Sequence, residues 1–177
     1  MCKKPPGFPL GELLIVIVVI AILAAISIVA YTGIQERAQK SKVQSDIAQI
    51  IKAISLAREK NTQTLGQITG NWSTGSVCWG QANGTDLAAL SSTSNCWVNY
   101  NNFLNIISDE SGMNIRGLTD PWGRPYLLDE NEGEGPGRMC SGDTVAMYKR
   151  PFTTAYGVHA WTPGANVPIS RYAGCTT

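Results

Sequence analysis

The stretch GELLIVIVVIAILAAISIVAYTGIQERAQKSKVQSDIAQIIKAISLAREK, Gly11–Lys60, decides the fold. Its first part is apolar on every side. From Leu13 to Ala30, eighteen residues, Ser27 alone is not plainly apolar. At ~1.5 Å per residue the run makes about 27 Å of helix, close to the thickness of a bilayer's hydrocarbon core. Its second part changes pattern. Ile34, Ala38, Val43, Ile47, Ile50, Ile51 and Ile54 recur mostly at helical spacing, with Glu36, Arg37, Lys40, Lys42, Asp46, Lys52 and Arg58 between them. That leaves one apolar stripe on an amphipathic helix reaching to about Lys60. No proline interrupts it, and Gly33 is the weak point at which a bend is expected. The spacing predicts one helix of about fifty residues, roughly 75 Å long. Half of it has the length of a lipid span and half is domain core. A single carboxylate, Glu12, stands at the head of the apolar run, where a charge is costly unless something pairs with it.

The remaining composition bounds the chain. At 177 residues there is room for one domain and an anchor, and the formal net charge of +1 gives no basic excess that would demand nucleic acid. A cleaved signal peptide would have a shorter apolar stretch ending at a small-residue site. AILAA, residues 21–25, mimics such a site, but the run is long and the helical pattern continues past it. Lys3 and Lys4 precede the run and keep the N-terminus cytoplasmic by the positive-inside rule, although Arg37, Lys40 and Lys42 weaken the bias from the other side. The cysteines agree with a head outside the cytoplasm. Cys78, Cys96, Cys140 and Cys175 form an even set, which an oxidising compartment would pair into two disulfides in one of three connectivities. Cys2 is the odd one and no aliphatic lipobox precedes it.

Beyond Lys60 the chain reads as a smaller α+β head. Residues 61–96, rich in Asn, Gly, Ser and Thr, read as a long surface loop with a turn of helix at Asp86–Leu90. Trp97–Ile107 fits a second short helix that buries Val98, Phe103, Leu104 and Ile107. After Gly112 the signals turn β-like, with Tyr126–Leu128, Thr144–Lys149, Tyr156–Trp161 and Pro168–Tyr172 as three or four short antiparallel strands. They would cover the apolar stripe of the long helix. The fold class expected is therefore α+β, a long N-terminal helix packed on a small antiparallel sheet.

The N-terminus resembles that of type IV pilins and of type II secretion pseudopilins. The likeness rests on the basic leader MCKKPPG ending at Gly7, then Phe8, Glu12 and LLIVIVVIAILAAI, and covers about thirty residues. It implies that a prepilin peptidase cuts after Gly7 and that the new Phe8 amine is N-methylated. It implies that Glu12 pairs with the Phe8 amine of a neighbouring subunit, which makes the buried charge tolerable and sets register in a filament. The domains implied are a leader at 1–7, a membrane and filament-core helix at 8–31, and an extracytoplasmic head at 32–177. In that head the helix runs on to about 60, the loop and short helix occupy 61–112, and the β-region is 113–177. Three positions depart from the pattern. Pro9 stands where Thr is usual and Gly11 where a larger aliphatic is usual. Val29 replaces the helix-kinking proline of many major pilins, which is common among pseudopilins.

Thr119–Glu134, TDPWGRPYLLDENEGE, is similar to a segment of the major pseudopilin. Asp120-Pro121-Trp122-Gly123 reads as a β-turn that Asp120 caps, with Trp122 packed on the long helix. In the resembled protein the following loop holds calcium. Here Asp129, Glu130, Asn131, Glu132, Glu134 and Asp143 supply oxygens, although Asp129-x-Asn131-x-Gly133 is half an EF-hand-like spacing and Cys140 falls where its terminal Glu would be. Many type IV pilins staple a C-terminal loop with a disulfide. That habit implies Cys140–Cys175, with Cys78–Cys96 tying the polar loop.

The function expected is that of a structural subunit of a type IV pilus-like filament, a homo- or hetero-polymer of pilin subunits. The resemblance implies a bacterial inner membrane, a prepilin peptidase, an assembly ATPase and an inner-membrane platform protein as partners, with lipid around the helix before assembly. One alternative is a pseudopilin supporting protein export. The other is a membrane-tethered binding domain that never polymerises. The basic residues Lys40, Lys42, Lys52, Arg58 and Lys60 read as a solvated helix face rather than a DNA-binding one. No nucleophile–His arrangement can be argued around His159, the sole histidine, so the chain is not expected to be an enzyme.

Overall fold

The computed structural model describes residues 10–130, 142–153 and 159–162, without the side chains of Leu10, Val29 and Ala30. It divides into two units, residues 1–39 and 40–177. Helix α1 spans Leu10–Asn61 without interruption, through Gly33, and so ends where the loss of apolar periodicity predicts. Pro9 lies outside the described residues.

In the second unit the later turns of α1 bury Val43, Ile47, Ile50, Ala53, Ile54 and Ala57. These positions follow the three-and-four spacing of one helical face. They meet Tyr100, Phe103, Leu104 and Ile107 of α4 (Asn95–Ser111), together with Ile115, Tyr126, Leu128, Val145 and Met147, in one core. Each fully buried Ile or Leu here contributes about 1.5–3 kcal/mol. Helix α4 is longer at both ends than its apolar pattern indicates. Ser94 caps its start by accepting the Trp97 N–H, and Gly112, at φ +72°, closes its end on the Ser108 carbonyl. Val98 is half-buried rather than core.

The sheet has two strands among the described residues, β1 (Leu127–Asp129) and β2 (Thr144–Ala146), paired antiparallel with Leu128 opposite Val145 and Leu127 opposite Ala146. The period-2 alternation divides the interior. Leu128 and Val145 face the α1 core, whereas Leu127 and Ala146 face a second cluster with Cys78, Leu87, Cys96, Tyr148 and Phe152. The α+β class is as expected, and the long helix packs on a small antiparallel sheet. Of the other two expected strands, 168–172 lies outside the described residues, as does 156–158. His159–Trp161 belongs to a turn instead, closed by the Thr162 N–H on the His159 carbonyl at 3.0 Å.

Residues 61–96 are not one loop. They hold α2 (Leu65–Thr69), α3 (Gly75–Trp79) and a 3₁₀ turn at Leu87–Ala89. Thr64 and Gln67 form a reciprocal capping box at α2, and Gly70, at φ +66°, ends it. Asp86 caps the 3₁₀ turn through the Ala88 N–H. Thr74 stitches this segment to β1. Its N–H donates to the Leu128 carbonyl at 2.8 Å, and its hydroxyl accepts the Leu128 N–H at 2.7 Å. Periodicity misses α2 and α3 because each has only 5 residues.

Candidate functional site

In the first unit, α1 is apolar around its whole circumference from Leu13 to Ile28, and its large apolar side chains there are exposed. Relative exposure of the large apolar residues from Leu13 to Ile28 runs from 47% at Val18 to 65% at Ile28. A helix apolar all round belongs in a core or a membrane. By length and composition α1 is long and apolar enough to cross one. Ser27, the one polar side chain in the run, donates to the Leu23 carbonyl at 2.8 Å, so it offers no unsatisfied hydroxyl to an apolar surrounding. Glu12 is exposed in the first turn, where the helix dipole favours a negative charge. Gly7 and Phe8 lie outside the described residues.

The second unit carries its charges inside. Asp46 and Arg58, read in the sequence as part of a polar helix face, are buried. Arg58 pairs with Asp143, which is equally enclosed. Asp46 accepts a hydrogen bond from the Tyr126 hydroxyl at 2.7 Å and an ion pair from Lys42, which also donates to the Thr119 carbonyl. Burial beside Asp46 pushes the Tyr126 phenol upward, and burial does the same to Tyr100. One sequence signal for these residues is their register. Asp46 stands three after Val43 and four before Ile50, and Arg58 four after Ile54, on the stripe itself.

The Asp120–Gly123 turn forms as the sequence predicts. The Gly123 N–H donates to the Asp120 carbonyl at 2.9 Å, and Asp120 Oδ1 accepts the N–H groups of Trp122 and Arg124, each at 2.9 Å. Gly123 sits at φ +75°, which favours glycine. Arg124 Nε then donates to Asp120 Oδ2 at 2.7 Å, in a buried pair. Trp122 packs on the core that the long helix forms, and its ring has further partners. It stacks on Trp161 with centroids 5.7 Å apart, and the Arg150 guanidinium lies 4.3 Å from its centre. Trp72 and Trp97 pack on the α1 core and Trp79 on the second cluster.

The proposed calcium ligands are placed as follows. Asp143 is taken up by Arg58. Asp129 Oδ1 lies 3.4 Å from the Ser73 hydroxyl and so close to Gly75 that a Cβ there would come within 2.4 Å. Asn131, Glu132 and Glu134 lie outside the described residues. Among the described residues no three His, Cys, Asp or Glu side chains converge as a metal site requires. Of the cysteines, Cys78 and Cys96 are joined in a buried disulfide that ties α3 to α4, while Cys140 and Cys175 lie outside the described residues.

Comparison with protein-family models, with characterised proteins and with solved structures finds no match to this chain.

Proposed function

We propose that the chain is a pilin-like structural subunit, inserted in a membrane through α1 with its head on the far side and polymerised through that helix into a type IV pilus-like filament. The observation that supports this reading is the full ring of exposed apolar side chains from Leu13 to Ile28, headed by Glu12. Such a surface needs lipid or other apolar helices around it. Cleavage after Gly7 supplies the Phe8 amine that Glu12 pairs with in the neighbouring subunit. Prepilin peptidase, platform protein and assembly ATPase are the partners this reading requires.

A second reading is a pseudopilin that supports export. It is favoured by α1 running unbroken past Val29, where many major pilins carry a proline, and by the Asp120–Gly123 turn. A filament seen outside the cell separates the first from the second.

The test is intact mass and N-terminal sequencing of the protein taken from its own membranes. A chain beginning at methylated Phe8 is expected. A chain beginning at Met1, or cut within residues 21–26, overturns the proposal and leaves an anchored or secreted domain. Glu12→Leu separates assembly from tethering, because it abolishes or misregisters filaments and would leave a tethered binding domain unharmed.

A further inference from the structure

We propose that His159 is a proton-operated latch on the aromatic stack beside the Asp120–Gly123 turn. Neutral His159 holds the 159–162 turn in place with Trp161 flat against Trp122, and a protonated ring releases it.

Among the described residues, the geometry gives the ring one hydrogen-bonding role. His159 Nδ1 accepts the backbone N–H of Trp161 at 3.2 Å, so that nitrogen carries no proton. The same residue anchors the turn through its backbone. Its N–H donates to the Met147 carbonyl at 2.9 Å and its carbonyl accepts the Thr162 N–H at 3.0 Å. The Thr162 hydroxyl in turn accepts the Met147 N–H at 3.2 Å. The imidazole also meets the Trp161 ring edge-on, with centroids 4.8 Å apart. Trp161 then stacks on Trp122 at an interplanar angle of 25°. The turn thus joins the residue after β2 to the Trp122 turn, and one imidazole nitrogen holds Trp161 within it.

The charges around the ring decide the direction of the response. Arg124, from the Trp122 turn, and Arg150, from the segment after β2, disfavour an imidazolium. Asp120 favours it, but Asp120 is already paired with Arg124. A proton on Nδ1 would remove the acceptor for Trp161 and place a third cation beside the two arginines. Burial first, and then Arg124, hold the imidazole below its ordinary value of 6.5. The folded chain therefore binds this proton less readily than the unfolded one. The latch's contribution is complete above about pH 6.5 and is lost as pH falls through the lower folded value.

The chain has a single histidine, so one imidazole carbon–proton signal reports it without assignment. The experiment uses the full-length protein in detergent micelles. It follows that NMR signal and the near-UV circular dichroism of the tryptophans together, from about pH 8 to 5. The expected result is a histidine midpoint below 6.5, a dichroism change with the same midpoint, and no such change in His159→Gln. Arg150→Gln is expected to raise the midpoint. It serves as the deciding variant if His159→Gln loses its fold. The proposal is overturned if His159 titrates at or above 6.5, if the dichroism stays flat through its titration, if the change persists in His159→Gln, or if Arg150→Gln leaves the midpoint in place.

Discussion

Residues 13–28 and residues 43–58 of α1 share one helical backbone and differ in everything their side chains meet. In the first segment the large apolar residues are exposed on all sides; in the second, Val43, Ile47, Ile50, Ile54 and Ala57 are buried on one side, and Gln44, Gln49 and Lys52 face out on the other. The two differ in the distribution as well as the amount of apolar residues. An apolar stripe can be covered by one small head. A complete apolar ring requires surroundings that the chain does not supply. The polar groups follow the same division. In the first segment Ser27 is satisfied within the helix itself, while in the second Asp46 and Arg58 rely on Tyr126, Lys42 and Asp143 from across the fold or along the helix.

The sharpest way to break this comparison is to remove Asp143. Asp143→Ala leaves the Arg58 charge enclosed without its carboxylate, which should cost about 3–5 kcal/mol. Urea denaturation of the full chain in micelles, read by near-UV dichroism, measures it. A loss below about 1 kcal/mol would mean that water reaches the guanidinium, and that the second half of α1 is less enclosed than described. Next comes a matched pair of substitutions. Ile54→Ala should destabilise the head by about 2–5 kcal/mol. Ile20→Ala, the same deletion in the apolar ring, should leave the head's stability within about 0.5 kcal/mol of the parent. Equal effects from the two would show that the apolar ring also belongs to the head's core.

The disulfide tests whether the second cluster matters as much as the α1 core. Cys78 and Cys96 are 18 residues apart, and the bridge joins α3 to α4 behind the sheet. Replacing both by Ser should lower stability by about 3 kcal/mol on the loop-entropy account. The helical signal of α1 should persist at low denaturant. A loss of α1 helicity in that variant would mean that α1 depends on the far cluster as well as on its own core.

Most of α1 was legible because its two periodicities are long and unambiguous, and its end at Asn61 falls within a residue of the reading. The Asp120–Gly123 turn was legible because Asp, Pro and Gly each impose a local geometry. Three things were not. Helices α2 and α3 are too short to show a period, and they are set by caps and by Thr74 bonding to β1, a contact distant in sequence. Arg58 and Asp46 were assigned to the polar face because residue type was weighed above register. The Trp122–Trp161 stack joins positions 39 residues apart in number, from Trp122 to Trp161, which no local pattern reports. The N-terminal motif remains a reading of sequence, since Gly7 and Phe8 lie outside the described residues.

The smallest effect expected lies where α1 leaves the core. At its last turn Lys60 Nζ approaches Glu110 Oε2 at 3.3 Å, and Asn61 Nδ2 donates to the same oxygen at 2.9 Å. The Asn61 hydrogen bond first, and then Lys60, hold the Glu110 carboxyl below its ordinary value of 4.5. The folded chain therefore binds that proton less readily than the unfolded one. The contribution is complete above about pH 4.5 and is lost as pH falls through the lower folded value. Glu110→Gln keeps an oxygen for Asn61 but removes the charge. At neutral pH it should change the melting temperature only slightly, because the site is open to solvent and exposed pairs contribute little. The difference between the two proteins should shrink further on acidification. If it grows instead, the carboxylate is not held by Asn61 and Lys60 in solution, and the clasp between the end of α1 and α4 is not formed as described.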